Sequence, residues 1–372
     1  MVFLGVSVNG RNGWEADIPA DQSILITPVV AGTSAERTAG GARLMKAERK
    51  AGCAIALALA LATPTAQAAG FRMIQVPADA DHPAITGAIW YPCAEPPADI
   101  ELKGITIKGT KDCPITGQRL PLIVISHGNL GAYFDHHDTA AALADAGFVV
   151  AAINHRGDNI PTPADQADPS VMLERPLAIR RLIDFMISAS PLAPQIDARR
   201  VGFFGFSAGA FTGLELAGAD PYWAVLMCRF SPALHACAST LETSLQVRPH
   251  AVEPRIRAAV LADPPGMWLV AESISKVRIP IQLWASANGG RGLPNISVTP
   301  ESVIEVEKRL PARHEFHMVP NTGHFGFMLC GPSISPVPAF CADPPGFDRV
   351  AFHRQFNAEV VRFFRAELAR RH

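Results

Sequence analysis

The chain has 372 residues, of which 48% are hydrophobic and 18% are charged. This composition excludes a disordered chain, a coiled coil and a collagen-like fibre. The 33 Lys and Arg residues are balanced by 34 Asp and Glu residues, so the formal net charge is −1. Because a nucleic-acid-binding protein normally carries a basic excess, we expect a globular protein with no nucleic-acid partner.

Residues 45–68 have the order of parts found in a secretory signal peptide. A basic segment that starts at Met45 is followed by the apolar run Ala51–Ala62 and by the Ala-x-Ala site Ala66-Gln67-Ala68. The run is too short to span a bilayer, which takes about 20 residues, although a buried helix would also explain its composition. We therefore predict an exported protein, periplasmic or secreted, whose mature chain has no transmembrane segment. Since signal peptides begin at the initiator Met, we interpret residues 1–44 as a non-native or disordered leader.

The cysteines suggest disulfide bonds in the remaining domain, residues 69–372. Cys53 lies in the apolar run and would be removed with the signal, which leaves an even number of cysteines. An even set in an exported chain favours disulfides. Free buried thiols are the alternative, and the lack of CxxC spacing disfavours a zinc site. Neighbours in sequence give the simplest pairing, which is Cys93–Cys113, Cys228–Cys237 and Cys330–Cys341. The middle pair falls within residues 222–254, which we interpret as an insertion.

The pattern of apolar residues predicts strands that alternate with helices. The predicted strands are Phe71–Val76, Ile85–Tyr91, Ile100–Lys108, Leu120–Ser126, Phe148–Ile153, Arg200–Phe206, Ala258–Ala262, Ile279–Ala285 and Glu315–Val319. The predicted helices are Ala140–Ala146, Pro176–Ile187, Ala208–Leu216 and Phe352–Arg370. Continuous apolar runs such as Leu120–Ser126 suit strands that are buried on both faces. The order predicts an α/β fold, with a mostly parallel central sheet and helices on both faces.

The segment Gly205-Phe206-Ser207-Ala208-Gly209 matches the G-x-S-x-G pattern of a nucleophile elbow. A predicted strand precedes it and a predicted helix follows it, which is the setting that exposes a serine on a tight turn. The flanking glycines would let the helix cross close to the strand. We therefore predict that Ser207 is a nucleophile, and the alternative is a Gly-rich turn with an incidental serine.

A serine nucleophile needs a histidine as general base. His324 follows the predicted strand Glu315–Val319 on a loop, which is the place expected for that base. Three other histidines compete: His314 and His317 lie in or beside the strand, and His127 lies in an earlier loop. We choose His324 because it has both the right order and the right loop.

The acid that orients the histidine has two candidate positions. After Ile279–Ala285, where many such hydrolases carry it, the loop has no carboxylate and offers only Asn288. The preceding strand, Ala258–Ala262, ends in Asp263. A carboxylate at the tip of a buried strand is costly unless it is paired, and a protonated histidine would supply the partner. We choose Asp263, and the alternative explanation of that residue is a turn-initiating Asp before Pro.

An oxyanion hole takes two aligned N–H donors. The amide of Ala208, directly after the serine, is one of them. The second is expected in the loop His127-Gly128-Asn129-Leu130-Gly131, with Asn129 as the first choice and Leu130 as the alternative.

Five segments together resemble the α/β-hydrolase superfamily, in particular the bacterial group of predicted dienelactone hydrolases related to platelet-activating-factor acetylhydrolase. The segments are Ala88-Ile89-Trp90-Tyr91-Pro92, Ser126-His127-Gly128, Asn154-His155-Arg156-Gly157-Asp158, Gly205-Phe206-Ser207-Ala208-Gly209 and Gly323-His324-Phe325. The resemblance covers roughly residues 70–370 and implies the α/β-hydrolase fold, with no metal or organic cofactor. In the acetylhydrolase branch the acid follows the strand before the usual one, with a Trp nearby, and Asp263 and Trp268 match that placement.

Two departures limit what the resemblance implies. Authentic dienelactone hydrolases use a Cys nucleophile, whereas this chain has Ser207, so their substrate is not carried over. The insertion 222–254 lies between nucleophile and acid, where lids often occur. Aromatic side chains near the motifs are candidates for an apolar acyl pocket, and equally for the core; they are Phe206, Tyr133, Phe134, Trp268 and Phe325.

The sequence therefore predicts a serine esterase or lipase-like enzyme that cleaves carboxylic esters through an acyl-enzyme. Ser207, Asp263 and His324 would form its triad, and its partner would be a small-molecule ester or a lipid. One alternative is an acetylhydrolase that removes short acyl chains from phospholipids. Another is a non-catalytic periplasmic binding protein that keeps the fold.

Overall fold

The computed structural model describes residues 68–102, 104–159, 170–221, 252–293, 298–311, 313–330 and 338–369. The strands in these ranges are β1 Ala68–Val76, β2 Ile85–Cys93, β3 Ala98–Leu102, β4 Ile105–Lys111, β5 Leu120–Ser126, β6 Val149–Ile153, β7 Ile196–Phe206, β8 Ile256–Ala262, β9 Ile281–Ser286 and β10 His314–Val319. The α-helices are α1 His137–Asp145, α2 Ser170–Ser188, α3 Ala208–Ala217, α4 Pro300–Glu307 and α5 Arg349–Ala369. Short 3-10 helices lie at Ala193–Gln195, Gly266–Trp268, Ala271–Lys276, His324–Phe327 and Pro338–Cys341.

The strands form one sheet in the order β10-β9-β8-β7-β5-β6-β2-β1-β4-β3. The six strands from β10 to β6 are all parallel to their neighbours. Beyond β6, the pairs β6–β2, β2–β1 and β4–β3 are antiparallel, and β1–β4 is parallel. The mostly parallel α/β sheet predicted from the sequence is thus confirmed.

Helices cover both faces of the sheet. Consecutive residues of β7 show this, since Phe203 packs into one core cluster and Phe204 into the other, as expected from the two-residue period of a strand. The first cluster includes residues of α2, α3 and α4, and the second includes residues of α1 and α5. Each strand of the parallel region is therefore buried on both sides, which explains why its sequence is continuously apolar.

The carboxyl ends of five parallel strands meet at one edge of the sheet. Ser126 at the end of β5 pairs with Gly205 of β7, and Phe206 pairs with Ala262 of β8. Val319 at the end of β10 pairs with Ser286 at the end of β9. The loops that follow these strands therefore lie side by side, which is where open α/β sheets bind ligands.

Two predicted elements need correction. The predicted strand Ile100–Lys108 is a hairpin of β3 and β4, in which Ile100 pairs with Ile107. Its turn includes Gly104, whose φ of 86° lies in the left-handed region that glycine adopts at little cost. The helix predicted from Pro176 begins earlier, at Ser170, with the proline inside it. Proline in a helix interior is disfavoured, which is why the predicted helix does not extend before it.

Two disulfides join the cysteines that were predicted to pair as sequence neighbours. Cys93 at the end of β2 is bonded to Cys113, and Cys330 is bonded to Cys341. Cys228 and Cys237 lie outside the described residues, as do the predicted leader, the predicted signal before its last residue, and most of the insertion. Within the described ranges, no helix combines the length and apolar character needed to cross a membrane.

Candidate active site

Ser207 occupies a tight turn between β7 and α3. Its φ of 53° and ψ of −119° are unusual for a residue with a side chain, and such conformations cost about 1–3 kcal/mol. The two glycines of the motif make the turn possible. A Cβ atom on Gly205 would lie 2.4 Å from the Gly209 carbonyl oxygen, and one on Gly209 would lie 1.9 Å from the Ser126 carbonyl oxygen. The backbone therefore packs too closely here for any side chain.

His324 bridges Ser207 and Asp263. Its Nε2 lies 2.9 Å from Ser207 Oγ, and its Nδ1 lies 3.0 Å from Asp263 Oδ2. An ionised carboxylate only accepts hydrogen bonds, so Nδ1–H donates to Asp263. Nε2 is then left to accept the Ser207 hydroxyl proton. The imidazole ring is 1% exposed, and its backbone N–H donates to the Gly289 carbonyl at 2.8 Å.

Asp263 follows β8, as its place in the sequence predicted, and its carboxylate is completely buried. Oδ1 accepts the backbone N–H of Ser286 at 2.7 Å, and Oδ2 accepts the Ser286 hydroxyl at 2.5 Å. These bonds fix the carboxylate, because β9 lies next to β8 and ends at Ser286. Ser286 was not predicted as a site residue, because a carboxylate was expected after β9 and Ser286 is instead a donor to the carboxylate of Asp263.

The alternative site residues make other contacts, and Asn288 also lines the cavity beside His324. Asn288 is held by its backbone N–H, which donates to the Thr322 carbonyl at 2.9 Å. The competing His127 has both ring nitrogens engaged, since Nδ1–H donates to the Gly128 carbonyl at 2.7 Å and Nε2 accepts the His155 N–H at 3.1 Å. His317 stacks on Trp284 with ring centroids 4.1 Å apart. The structure thus brings together Ser207 and the two partners chosen for it.

The loop after β5 lies against the nucleophile. A Cβ atom on Gly128 would lie 3.4 Å from Ser207 Cβ. The amide of Leu130, the alternative oxyanion donor, is occupied because it donates to Asp158 Oδ1 at 2.6 Å. Asn129 precedes it in the turn, and Ala208 is the first residue of α3, where the helix itself uses no N–H. Ala208 therefore directly follows Ser207, and Asn129 lies in the loop whose Gly128 approaches it.

The aromatic pocket candidates fall into two groups. Phe325 lines a cavity of about 430 Å³ together with His324 and Phe340, and its ring stacks on Phe340 at 3.9 Å. The remaining candidates are buried in the core, which is the alternative that their place in the sequence left open. Phe206, Tyr133 and Phe134 are buried in the cluster beneath α1 and α5, and Trp268 packs edge-on against Phe211 of α3 at 5.8 Å. Phe206 still supports the site, since its ring lies 4.7 Å from that of His324.

Two further observations bear on ligands of this site. Arg349 also borders the cavity, but its guanidinium is nearly buried and bonded to Asp343 at 2.6 Å, so this charge is already neutralised. Among the residues that the structure describes, no group of three or more His, Cys, Asp or Glu side chains could hold a metal ion.

Comparison with solved structures places the chain in the α/β-hydrolase fold. The ferulic acid esterase from Streptomyces cinnamoneus is 18% identical, covers 84% of this chain and 93% of its own, and superposes with a TM-score of 0.56. An esterase from an Arctic intertidal metagenomic library is 17% identical, with 80% and 93% coverage and a TM-score of 0.43. The acylaminoacyl peptidase of Pyrococcus horikoshii is 13% identical, with 82% and 43% coverage and a TM-score of 0.47. No protein-family model matches the chain, and a search of curated proteins finds no significant match. At these identities the likeness extends to the fold alone.

Proposed function

We propose that the protein is an exported serine hydrolase that cleaves carboxylic esters through an acyl-enzyme. The observation that carries the proposal is the continuous hydrogen-bond chain from Asp263 through His324 to Ser207. It ends on a serine in a strained turn, next to the loop that carries the proposed donor Asn129. Ligand binding alone does not require Asp263, His324 and Ser207 to be hydrogen-bonded in this order, which disfavours the non-catalytic alternative.

The geometry supports the following sequence of steps. Ser207 Oγ attacks the ester carbonyl carbon while its proton passes to His324 Nε2. The negative charge that develops on the carbonyl oxygen is stabilised by the amides of Asn129 and Ala208. His324 then protonates the departing alcohol, and the acyl group stays on Ser207. Water repeats the same proton transfers to release the acid, while Asp263 stabilises the imidazolium formed in each half.

The cavity next to His324 supports a small substrate. Its volume of about 430 Å³ is at the lower end of ligand pockets, which span about 300–1,000 Å³. The stacked rings of Phe325 and Phe340 give it an apolar wall. Arg349 holds that wall by donating to the Phe325 carbonyl and, at 3.3 Å, to the Phe340 carbonyl. We therefore expect short acyl or aromatic esters to be better substrates than long-chain lipids. Kinetics over an acyl-length series, with a short-acyl phospholipid as its last member, separates a general esterase from a phospholipid acetylhydrolase.

Labelling with a fluorophosphonate probe tests the reaction class directly. The wild-type protein should be labelled and should hydrolyse p-nitrophenyl butyrate, and Ser207→Ala should abolish both while it keeps the wild-type Tm. Ser188→Ala is a matched control, because Ser188 is an exposed serine of α2 whose hydroxyl caps the Asp184 carbonyl. Undiminished hydrolysis by folded Ser207→Ala protein would overturn the proposal, and a folded wild type that takes no label would favour the binding-protein alternative.

The proposal of export rests on the signal-like residues 45–68 and is supported by two disulfides in the folded domain. Such bonds persist in oxidising compartments such as the periplasm. N-terminal sequencing of protein recovered from outside the cytoplasm should find Ala69 as the first residue. A mature chain that starts upstream of Met45 would contradict both the signal and the leader assignment.

A further inference from the structure

A buried ion pair lies behind the nucleophile turn, and the proposed reaction does not use it. Arg175 of α2 is completely buried and donates to Oδ2 of Asp158, which is 2% exposed. Burying two charges costs solvation free energy, and an apolar replacement of such a pair is often neutral or stabilising. Stability alone is therefore a poor reason for the pair, and its remaining contacts indicate another role.

The second carboxylate oxygen of Asp158 holds the loop after β5. Oδ1 accepts the Leu130 N–H at 2.6 Å. Leu130 has a φ of 58°, in the left-handed region that disfavours residues with a side chain. The neighbouring Gly131 N–H donates to the Gly128 carbonyl at 3.1 Å and closes the turn. The bond to Asp158 holds the peptide unit between Asn129 and Leu130 in one orientation. Because the Leu130 N–H is used by that bond, the Asn129 N–H remains as the donor for an oxyanion.

The guanidinium of Arg175 ties the same carboxylate to the nucleophile helix. Its Nη2 donates to the His127 carbonyl, and its Nε donates to Thr212 Oγ1 at 3.2 Å. The Thr212 hydroxyl in turn donates to the Ala208 carbonyl at 3.0 Å. One ion pair therefore connects the loop that carries Asn129 with the first turn of α3, which carries Ala208.

We propose that Asp158, paired with Arg175, is a positioning residue that keeps the amides of Asn129 and Ala208 aligned on one oxyanion. The inference rests on the function proposed above. Its physical basis is that oxyanion donors act only when they are fixed in advance at about 2.7–3.1 Å from the developing charge. A misplacement of about 1 Å can cost about 100-fold in rate.

Two double variants isolate the bond to Leu130. Both carry Arg175→Met, so that neither leaves the buried guanidinium without its Asp158 partner. In the first, Asp158→Asn retains an oxygen that can accept the Leu130 N–H; in the second, Asp158→Leu provides none. We expect the Asn variant to stay within about tenfold of the wild-type kcat, and the Leu variant to lose about 100-fold in kcat with KM changed less than about threefold. Equal kcat values for the two folded variants would overturn the proposal.

Hydrogen exchange of residues 128–132 gives a readout that needs no catalysis. The Leu130 amide should be protected in wild type and in the Asn variant, and should exchange faster in the Leu variant. Free exchange of this amide in the wild type would refute the proposal even if a variant failed to fold. Failure of the proposed function would look different, since wild-type protein would then neither hydrolyse esters nor take a fluorophosphonate label.

Asp197→Asn serves as the matched control. Asp197 is also a nearly buried Asp paired with arginines, with Arg199 Nε at 3.3 Å and Arg119 at 3.8 Å. It lies near the start of β7, whereas Ser207 follows the end of that strand. This variant should keep the wild-type kcat and the wild-type exchange of residues 128–132. A fall in its kcat as large as that of the Leu variant would show that loss of any buried carboxylate slows the enzyme, and would overturn the specific role of Asp158.

Discussion

Replacing Asp263 by Asn tests whether this carboxylate orients His324, the proposed general base. The structure dictates how the new amide would sit, because Oδ1 of Asp263 accepts the Ser286 backbone N–H at 2.7 Å. That N–H can only donate, so the Asn side chain would turn its oxygen toward it. Its NH2 group would then face His324 Nδ1, which at present lies 3.0 Å from Oδ2.

An NH2 group at that place can only donate, so Nδ1 would have to become an acceptor. The ring proton would then sit on Nε2 and point at Ser207, which removes the base. A wrong tautomer of this kind costs about 10⁴ in kcat in serine proteases, which corresponds to about 5.5 kcal/mol of transition-state free energy. We expect a loss of about 10³–10⁴ for Asp263→Asn, measured by p-nitrophenyl butyrate hydrolysis at saturating substrate.

The control for this variant is Asn288→Ala, which changes the alternative orienting residue. It should lower kcat far less than Asp263→Asn, although Asn288 lines the cavity beside His324. Thermal melts should show that both variants are folded. A folded Asp263→Asn protein with the wild-type kcat, or an Asn288→Ala protein with a comparable loss, would refute the reasoning.

Two other predictions concern stability. Gly209→Ala should lower the free energy of unfolding by about 3 kcal/mol or more, because its Cβ would lie 1.9 Å from the Ser126 carbonyl oxygen. Gly147→Ala should cost only about 1–2 kcal/mol, since that Cβ meets no atom within 4 Å and only the φ of 97° opposes it; equal losses in urea titrations would contradict the steric argument. Burial raises the pKa of Asp135 to about 7, although the Ala132 N–H opposes this shift. The folded protein therefore binds the proton more tightly than the unfolded one, and stability should fall as pH rises from about 4 to 7. Asp135→Asn should match the wild-type Tm near pH 4 and exceed it at pH 8, and an equal Tm difference at both pH values would count against this assignment.

Several elements of the fold were predictable because their signals are local. The apolar run of β5 has the bounds that the sequence predicts, and the core of β8 lies where expected. The β3–β4 hairpin was missed because apolar and polar residues alternate in both strands, as they would in one longer strand. Only the pairing of Ile100 with Ile107 shows that the chain reverses between them. The start of α2 was missed because Pro176 lies inside the helix, against the usual preference of proline.

The residues of the candidate site also differ in whether a local sequence signal reveals them. Ser207 stands out in the sequence because the glycines that its turn requires lie within two residues of it. Asp263 was an inference from the cost of burying a carboxylate, and the structure supplies the partner by placing His324 beside it. Ser286 and Asp158 carry no such local signal. Ser286 acts through two hydrogen bonds to Asp263 and Asp158 through one from Leu130, and in each case the partner is more than 20 positions away.

The sequence by itself determined the α/β alternation, the nucleophile turn and the order of Ser207, Asp263 and His324. Only the tertiary structure decided which amide of the loop after β5 is bonded to Asp158, which acid meets the histidine and which aromatic rings belong to the core. The physical reason is that these choices depend on strand order and register. The placement of β8 between β7 and β9 brings Asp263 to both His324 and Ser286, and the pairing of β5 with β6 brings Asp158 to Leu130.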